Sequence, residues 1–212
     1  MFLTVDASSI TVAPFERRAD AALIRAIAQH PVALIGDVQQ RMGMLSAGIR
    51  PRTSLPLAGS ILPVLVREGD NLAIHRSLDE AQPGDVLVVN GQGDVNRAVF
   101  GGLLAAGCLA RGIAGVVIDG SLRDVAEFEE LGLPVYSRGV SPAGPYKHGP
   151  GSVGMPVACG NVVCNPGDVI VGDADGLIVL AAAALPELLP RVEAQADYEV
   201  TLRAGLVDGA RR

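Results

Sequence analysis

Aromatic residues are scarce in this chain: tryptophan is absent, and Phe, Trp and Tyr make up 3% of its 212 residues. No run of lysine and arginine stands out, and the formal charge is −6 with a pI near 5.0. A nucleic-acid binder needs a basic face for phosphates and often aromatic platforms for bases. Both shortages argue against a nucleic-acid partner. The start, Met1-Phe2-Leu3-Thr4-Val5-Asp6, lacks the basic and long apolar regions of a secretory leader. The longest smooth apolar stretch, Ala98 to Ala110, is too short to span a bilayer and is broken by glycines. No membrane partner is expected. Three cysteines, Cys108, Cys159 and Cys164, form an odd set without paired-CxxC zinc spacing. They read as buried thiols in a reducing compartment, so a cytoplasmic location is expected.

Linkers, low-complexity blocks and fixed-period repeats are also missing, which predicts a single domain over 1–212. What is present is a globular composition, 49% hydrophobic and 19% charged. The mean hydropathy of +0.36 is high for a soluble monomer. Apolar surface buried between identical subunits would absorb it, so a homo-oligomer is expected.

Patterning predicts an α/β fold. Leu23, Ile24 and Ile27 share a helical stripe between Ala19 and His30, inside an N-terminal helical segment 14–30 that Pro31 stops. Pro56 to Val66 and the all-apolar Val86 to Val89 read as strands, with a short helix over Asn71 to Ala81 between them. Ala98 to Ala110 reads as helix, Gly115 to Ile118 as strand, Asp124 to Leu131 as helix and Pro134 to Tyr136 as strand. This alternation predicts a partly parallel sheet covered by helices. Glycine and proline between Ser141 and Pro156 predict a loop without regular structure. Asp173-Ala174-Asp175-Gly176 between Val169–Val171 and Leu177–Leu180 predicts a β-hairpin, and an amphipathic helix over 185–203 closes the pattern.

Asp119-Gly120-Ser121-Leu122-Arg123-Asp124 follows one predicted buried strand and precedes a helix, which puts it where open α/β sheets bind ligands. An Arg there offers a planar fork to a carboxylate, and an Asp can hold a hard cation. The same two residues could instead be a solvated Arg and a helix-starting Asp. Phe100-Gly101-Gly102-Leu103-Leu104 permits close backbone approach to an oxyanion or, equally, close helix packing. Gly91-Gln92-Gly93-Asp94 resembles a dinucleotide loop, but Asn96 stands where the third glycine belongs. His30, His75 and His148 lack the i, i+4 pairing of a zinc helix. Tyr146-Lys147-His148 reads as an exposed polar loop or as a ligand contact.

Taken in order, several short strings are more specific than any one of them. They include Asp70-Asn71-Leu72 with His75, Gln82-Pro83-Gly84-Asp85, Gly101 to Ala105, Arg111 to Gly120 with Arg123-Asp124, and Gly132-Leu133-Pro134-Val135. Gly144-Pro145-Tyr146-Lys147, Pro166-Gly167-Asp168 and Asp173-Ala174-Asp175-Gly176 follow. Together they resemble the RraA-like family, which includes 4-hydroxy-4-methyl-2-oxoglutarate and 4-carboxy-4-hydroxy-2-oxoadipate aldolases. The resemblance implies a β/β/α sandwich of the swivelling-domain type, assembled as a trimer or hexamer with active sites between subunits. It implies a class II aldolase that uses Mg²⁺ or Mn²⁺ to cleave a 4-hydroxy-2-oxo acid into pyruvate and a second oxo-acid, with oxaloacetate decarboxylation besides. By motif, Asp124 would be the metal ligand, Arg123 would hold the substrate near its keto oxygen, and the amides of Leu103 and Leu104 would contact its carboxylate. Glu199 matches a C-terminal acid lent to a neighbouring subunit, against the reading of a solvated helix Glu. At Gly102 the family pattern has Asp or Glu, so the resemblance implies that Gly102→Asp raises cleavage, or that another acceptor such as Asp94 serves. The alternatives are a non-enzymatic regulator of the ribonuclease E inhibitor type and the family's older methyltransferase label.

Overall fold

The computed structural model describes residues 8–14 and 18–209, the last three of these by backbone alone. The segment 1–7, on which the expectation about a secretory leader bears, lies outside the described residues. The first half contains β1 (Ile10–Val12), α1 (Ala21–Ile27), α2 (Val32–Val38), β2 (Arg50–Pro51), β3 (Leu57–Val66), α3 (Leu72–Glu80), β4 (Asp85–Asn90), β5 (Ala98–Phe100) and α4 (Gly102–Leu109). The second contains β6 (Gly115–Leu122), α5 (Val125–Leu131), β7 (Val135–Val140), β8 (Gly151–Val153), β9 (Val157–Cys159), β10 (Val162–Cys164), β11 (Val169–Asp173), β12 (Gly176–Leu180) and α6 (Leu185–Gly209).

The expected α/β class is observed, with a mixed sheet and a C-terminal helix. Strands β3, β4, β6 and β7 pair in parallel as its core, and β5 joins β6 in parallel. β8 and β11 flank β3 antiparallel, and β12 completes the predicted hairpin with β11. Side chains alternate across a strand, and the core divides accordingly. Leu62, Val64, Leu87, Val89, Val116 and Ile118 face Ile74, Leu104, Cys108 and Phe128 of α3, α4 and α5. Ile61, Val86, Val88 and Val117 face the β9–β10 ribbon through Val157, Cys159 and Cys164. That makes a helix layer, a sheet and a second β layer. The central strands are apolar throughout because both faces are covered. A third cluster joins α1, α2 and α6 to the hairpin.

Several elements differ from the sequence reading. Ala98–Phe100 is strand, because Ala98 and Phe100 pair with Ser121 and Leu122 of β6, and the helix starts only at Gly102. The expected loop 141–156 contains β8. A Cβ on Gly151 would come within 2.5 Å of the Leu65 carbonyl oxygen, so a glycine marks close strand approach here. Helix within the segment 14–30 is confined to Ala21–Ile27, and residues 15–17 lie outside the described residues. Helix α6 runs on to Gly209.

The turn Gln82-Pro83-Gly84-Asp85 is tied to the N-terminal segment by Asp85, which is fully buried. Its carboxylate accepts from Arg18 Nε at 2.7 Å and Nη2 at 2.8 Å, and from the Gln82 amide at 2.8 Å. Removing one partner of a buried pair costs about 3 kcal/mol. Asp85→Ala is therefore expected to lower the Tm by about 6–12 °C for a chain of this size. Differential scanning calorimetry checks this, and an unchanged Tm would show that the pair adds nothing.

Candidate active site

β5 and β6 run parallel and end side by side, so Gly101 and Arg123, the residues after each, share one edge of the sheet. The carboxyl end of a parallel sheet is where α/β proteins bind ligands. Asp124 adopts the left-handed conformation, φ 62° and ψ 37°, at the N-cap of α5. That conformation costs a non-glycine residue about 1–2 kcal/mol, and Asp tolerates it better than most. Its carboxylate forms no cap hydrogen bond to its own helix. Instead Oδ2 accepts the Gly102 amide at 3.0 Å, which leaves Oδ1 without a hydrogen bond among the described residues. The Arg123 Nε lies 3.5 Å from the same Oδ2, and both side chains are part-exposed. A Cβ on Gly101 would sit 2.5 Å from Asp124 Oδ2 and 3.2 Å from Arg123 Cγ. Only glycine lets β5 approach these side chains so closely. At the start of α4 the Leu103 N–H makes no hydrogen bond among the described residues, whereas the Leu104 N–H donates to the Gly101 carbonyl at 3.0 Å. One of the two predicted anion-binding amides is free, and the other is engaged.

These residues edge a cavity of about 110 Å³ lined by Gly101, Leu103, Leu104, Arg123 and Asp124, with Asn71, His75, Phe100, Pro145 and Lys147 on its other walls. Lys147 therefore belongs to the site. Asn71 and His75, to which the sequence reading assigns no role in the site, come from α3 and the turn before it. Asn71 is 4% exposed, and neither its Oδ1 nor the buried His75 Nδ1 has a hydrogen-bond partner among the described residues. A buried acceptor without a partner is costly unless a ligand or water meets it. The wall is thus built for a polar occupant.

Burial, and secondarily the charge of Lys147, push the His75 imidazole down to about 4. In the unfolded chain a histidine titrates near ~6.5. Between these values the unfolded state binds the extra proton. The contribution is therefore full above pH ~6.5 and is lost as pH falls toward 4. His75→Gln is expected to flatten the fall of Tm over this interval, and thermal unfolding at stepped pH reads it. Parallel curves for the two proteins would contradict the assignment.

Mg²⁺ and Mn²⁺ prefer oxygen donors, and Mg²⁺ commonly takes only one or two protein carboxylates beside water and substrate. The half-free Asp124 carboxylate and the unpartnered Asn71 Oδ1 fit that preference. No group of three His, Cys, Asp or Glu side chains gathers among the described residues, so Asp124 would be the direct ligand. Asp119, in the same motif, is committed elsewhere. It accepts from Arg138 Nε at 2.5 Å and from the Gly160 amide at 2.8 Å, fastening β6 to β7 and the β9–β10 ribbon. Asp94 does not line the cavity, and its Oδ1 accepts from Asn96. Glu199 is also absent from the cavity wall within one chain. It accepts from Gln195 at 3.4 Å and pairs with Arg203 at 3.6 Å on the same helix. All three cysteines are buried, and burial pushes Cys108 and Cys164 up to about 12, so neither serves as a nucleophile. A larger, more apolar cavity of about 310 Å³ lies between α2 and the β11–β12 turn; its Arg41 pairs with Asp37 at 3.2 Å, both well exposed.

A layered α/β fold with a strand-end Arg–Asp pair on a diglycine helix start defines the class of protein. The RraA-like family model, described as Aldolase/RraA, matches residues 19–179, and the chain belongs to the RraA-like family. A Halalkalibacterium halodurans protein named "Putative 4-hydroxy-4-methyl-2-oxoglutarate aldolase" is 37% identical over 176 residues, covering 82% of this chain and 84% of that protein. The 4-hydroxy-4-methyl-2-oxoglutarate aldolase of Thermus thermophilus is 35% identical over 123 residues, 58% of this chain and 74% of the relative. Among solved structures, Streptomyces coelicolor RraAS2, described as an unusual member of the RNase ES inhibitor RraA protein family, superposes with a TM-score of 0.77. It is 28% identical, over 88% of this chain and 99% of its own.

Proposed function

We propose that this chain is a divalent-metal-dependent class II aldolase that cleaves a 4-hydroxy-2-oxo dicarboxylate into pyruvate and a second oxo-acid, and that it decarboxylates oxaloacetate as a side reaction. The observation that carries this reading is the convergence, on one small cavity, of a part-exposed guanidinium held beside a half-free carboxylate and an unpartnered buried acceptor. The names of the relatives supply the substrate class. In the reaction the 4-hydroxyl loses its proton, the C3–C4 bond breaks, and the electron pair moves through C3 to the 2-oxo oxygen. Protonation of C3 then yields pyruvate. A divalent cation at Asp124 would polarise the 2-oxo group and offset the developing charge. Arg123 donates to that oxygen from a fixed position, where its charge counts most as the oxyanion forms. The free Leu103 N–H at the start of α4 holds the substrate's 1-carboxylate.

Glu199 belongs to the reading as a residue given in trans. The end of α6 exposes Tyr198, Val200, Leu202 and Leu206, an apolar surface suited to burial against another subunit of a trimer or hexamer. We place the protein in the cytoplasm on the strength of its three buried thiols. A panel of 4-hydroxy-2-oxo acids, assayed for pyruvate release with Mg²⁺, with Mn²⁺ and in excess chelator, tests the function. Release that depends on the cation is expected. An inactive protein across the panel, with the fold intact, would favour the non-enzymatic regulator instead.

A further inference from the structure

Gly102 is where the resemblance implies a carboxylate, and the structure fills that space from elsewhere. A Cβ built on Gly102 would collide with Glu127 Oε2 and lie 2.8 Å from Glu127 Cδ. The Glu127 carboxylate therefore rests directly against the Gly102 α-carbon, while the amide of the same glycine donates to Asp124 Oδ2 at 3.0 Å. Asp124 and Glu127 occupy the N-cap and third positions of α5, where the two side chains ordinarily cap the helix. Here neither does: Asp124 makes no cap bond, and the Glu127 carboxylate makes no hydrogen bond or ion pair among the described residues. Both are turned across to the diglycine. Glu127 stands behind Asp124 and does not line the neighbouring cavity; Asp124 does, and the same wall carries the unpartnered Asn71 Oδ1, which independently calls for a polar occupant.

We propose that Glu127 is a positioning carboxylate of this site, supplying from α5 and over Gly102 a second negative charge beside Asp124 that draws in a divalent cation and orders the water around it. The proposal rests on the reading that Asp124 takes such a cation. It accounts for glycine at position 102, since a side chain there and Glu127 compete for one space. Gly102→Asp alone therefore sets two carboxylates against each other and is not expected to raise activity.

The test is Mn²⁺ binding followed by electron paramagnetic resonance, with Tm measured alongside, for the wild type, Asp124→Asn, Glu127→Gln and the double variant Glu127→Ala/Gly102→Asp. Loss of a supporting group around a metal site costs about tenfold or more in affinity. Glu127→Gln keeps shape and hydrogen-bonding capacity, so it is expected to weaken Mn²⁺ about tenfold with little change in Tm. The double variant returns a carboxylate to the same space from the α4 side and is expected to recover most of that loss. Wild-type affinity in Glu127→Gln, with Asp124→Asn impaired, would overturn the role of Glu127 and leave the cation at Asp124 standing. A folded double variant that binds no better than Glu127→Gln would also overturn it. A wild type that takes no Mn²⁺ would overturn both readings together.

Discussion

Asp124→Asn is expected to lower cation-dependent pyruvate release by about a thousandfold or more, because Lewis-acid stabilisation is worth several kcal/mol and each 1.36 kcal/mol is a factor of ten. The substitution is unusually clean at this position. Asn tolerates the left-handed backbone as Asp does, and its side-chain carbonyl can still accept the Gly102 amide now held at 3.0 Å. Fold and loop geometry are therefore retained, and only the charge is lost. Steady-state kinetics across a Mg²⁺ titration, with a thermal melt as control, measure the effect. Full turnover in the Asn variant, or in the wild type with excess chelator, would remove Asp124 as the cation's ligand.

Arg123→Lys should lower kcat/KM by about 100- to 1,000-fold, the range for losing one donor to a developing oxyanion. Charge is kept, but the planar fork is not. The reach of Arg123 is set by its surroundings: Nε lies 3.5 Å from Asp124 Oδ2, and Nη1 lies 3.2 Å from where a Cβ on Gly144 would stand. An ammonium on a shorter, flexible stem cannot hold both neighbours' positions and still meet the 2-oxo oxygen. A loss of only a few-fold would mean that Arg123 orders the loop at Gly144 and takes no part in the reaction.

The parts of this architecture that are legible in the sequence are those decided locally. Val86 to Val89 announces a central strand because both its faces are buried, and Asp173 to Gly176 announces a tight hairpin through its turn chemistry. Arg123 and Asp124 are legible because they follow β6 directly, so their place at the sheet's edge needs no tertiary knowledge. Ala98–Phe100 reads wrongly as helix because a short apolar run has no period of its own, and only pairing with β6 makes it a strand. Strand β8 hides among glycines that look like loop residues until their close approach to β3 is seen. Asn71, His75 and Lys147 reach the cavity from distant stretches of chain, which spacing along the sequence does not encode. Glu127 looks in sequence like an ordinary acid in the first turn of a helix. Its only signal is the Asp-x-x-Glu spacing, which capping explains equally well; the place of its carboxylate over Gly102 exists only in three dimensions.

The most direct test of the central claim, that Arg123 and Asp124 stabilise charge on the 2-oxo oxygen of a pyruvyl compound, does not require the true substrate. Protonation of C3 is reversible, so the site should exchange the methyl protons of pyruvate itself. Proton NMR of pyruvate in D₂O with the wild-type protein and Mg²⁺ is expected to show loss of the methyl signal at a rate far above that of buffer. Exchange should stop in excess chelator and in Asp124→Asn. No exchange above the buffer rate with folded, Mg²⁺-supplied protein would contradict the account.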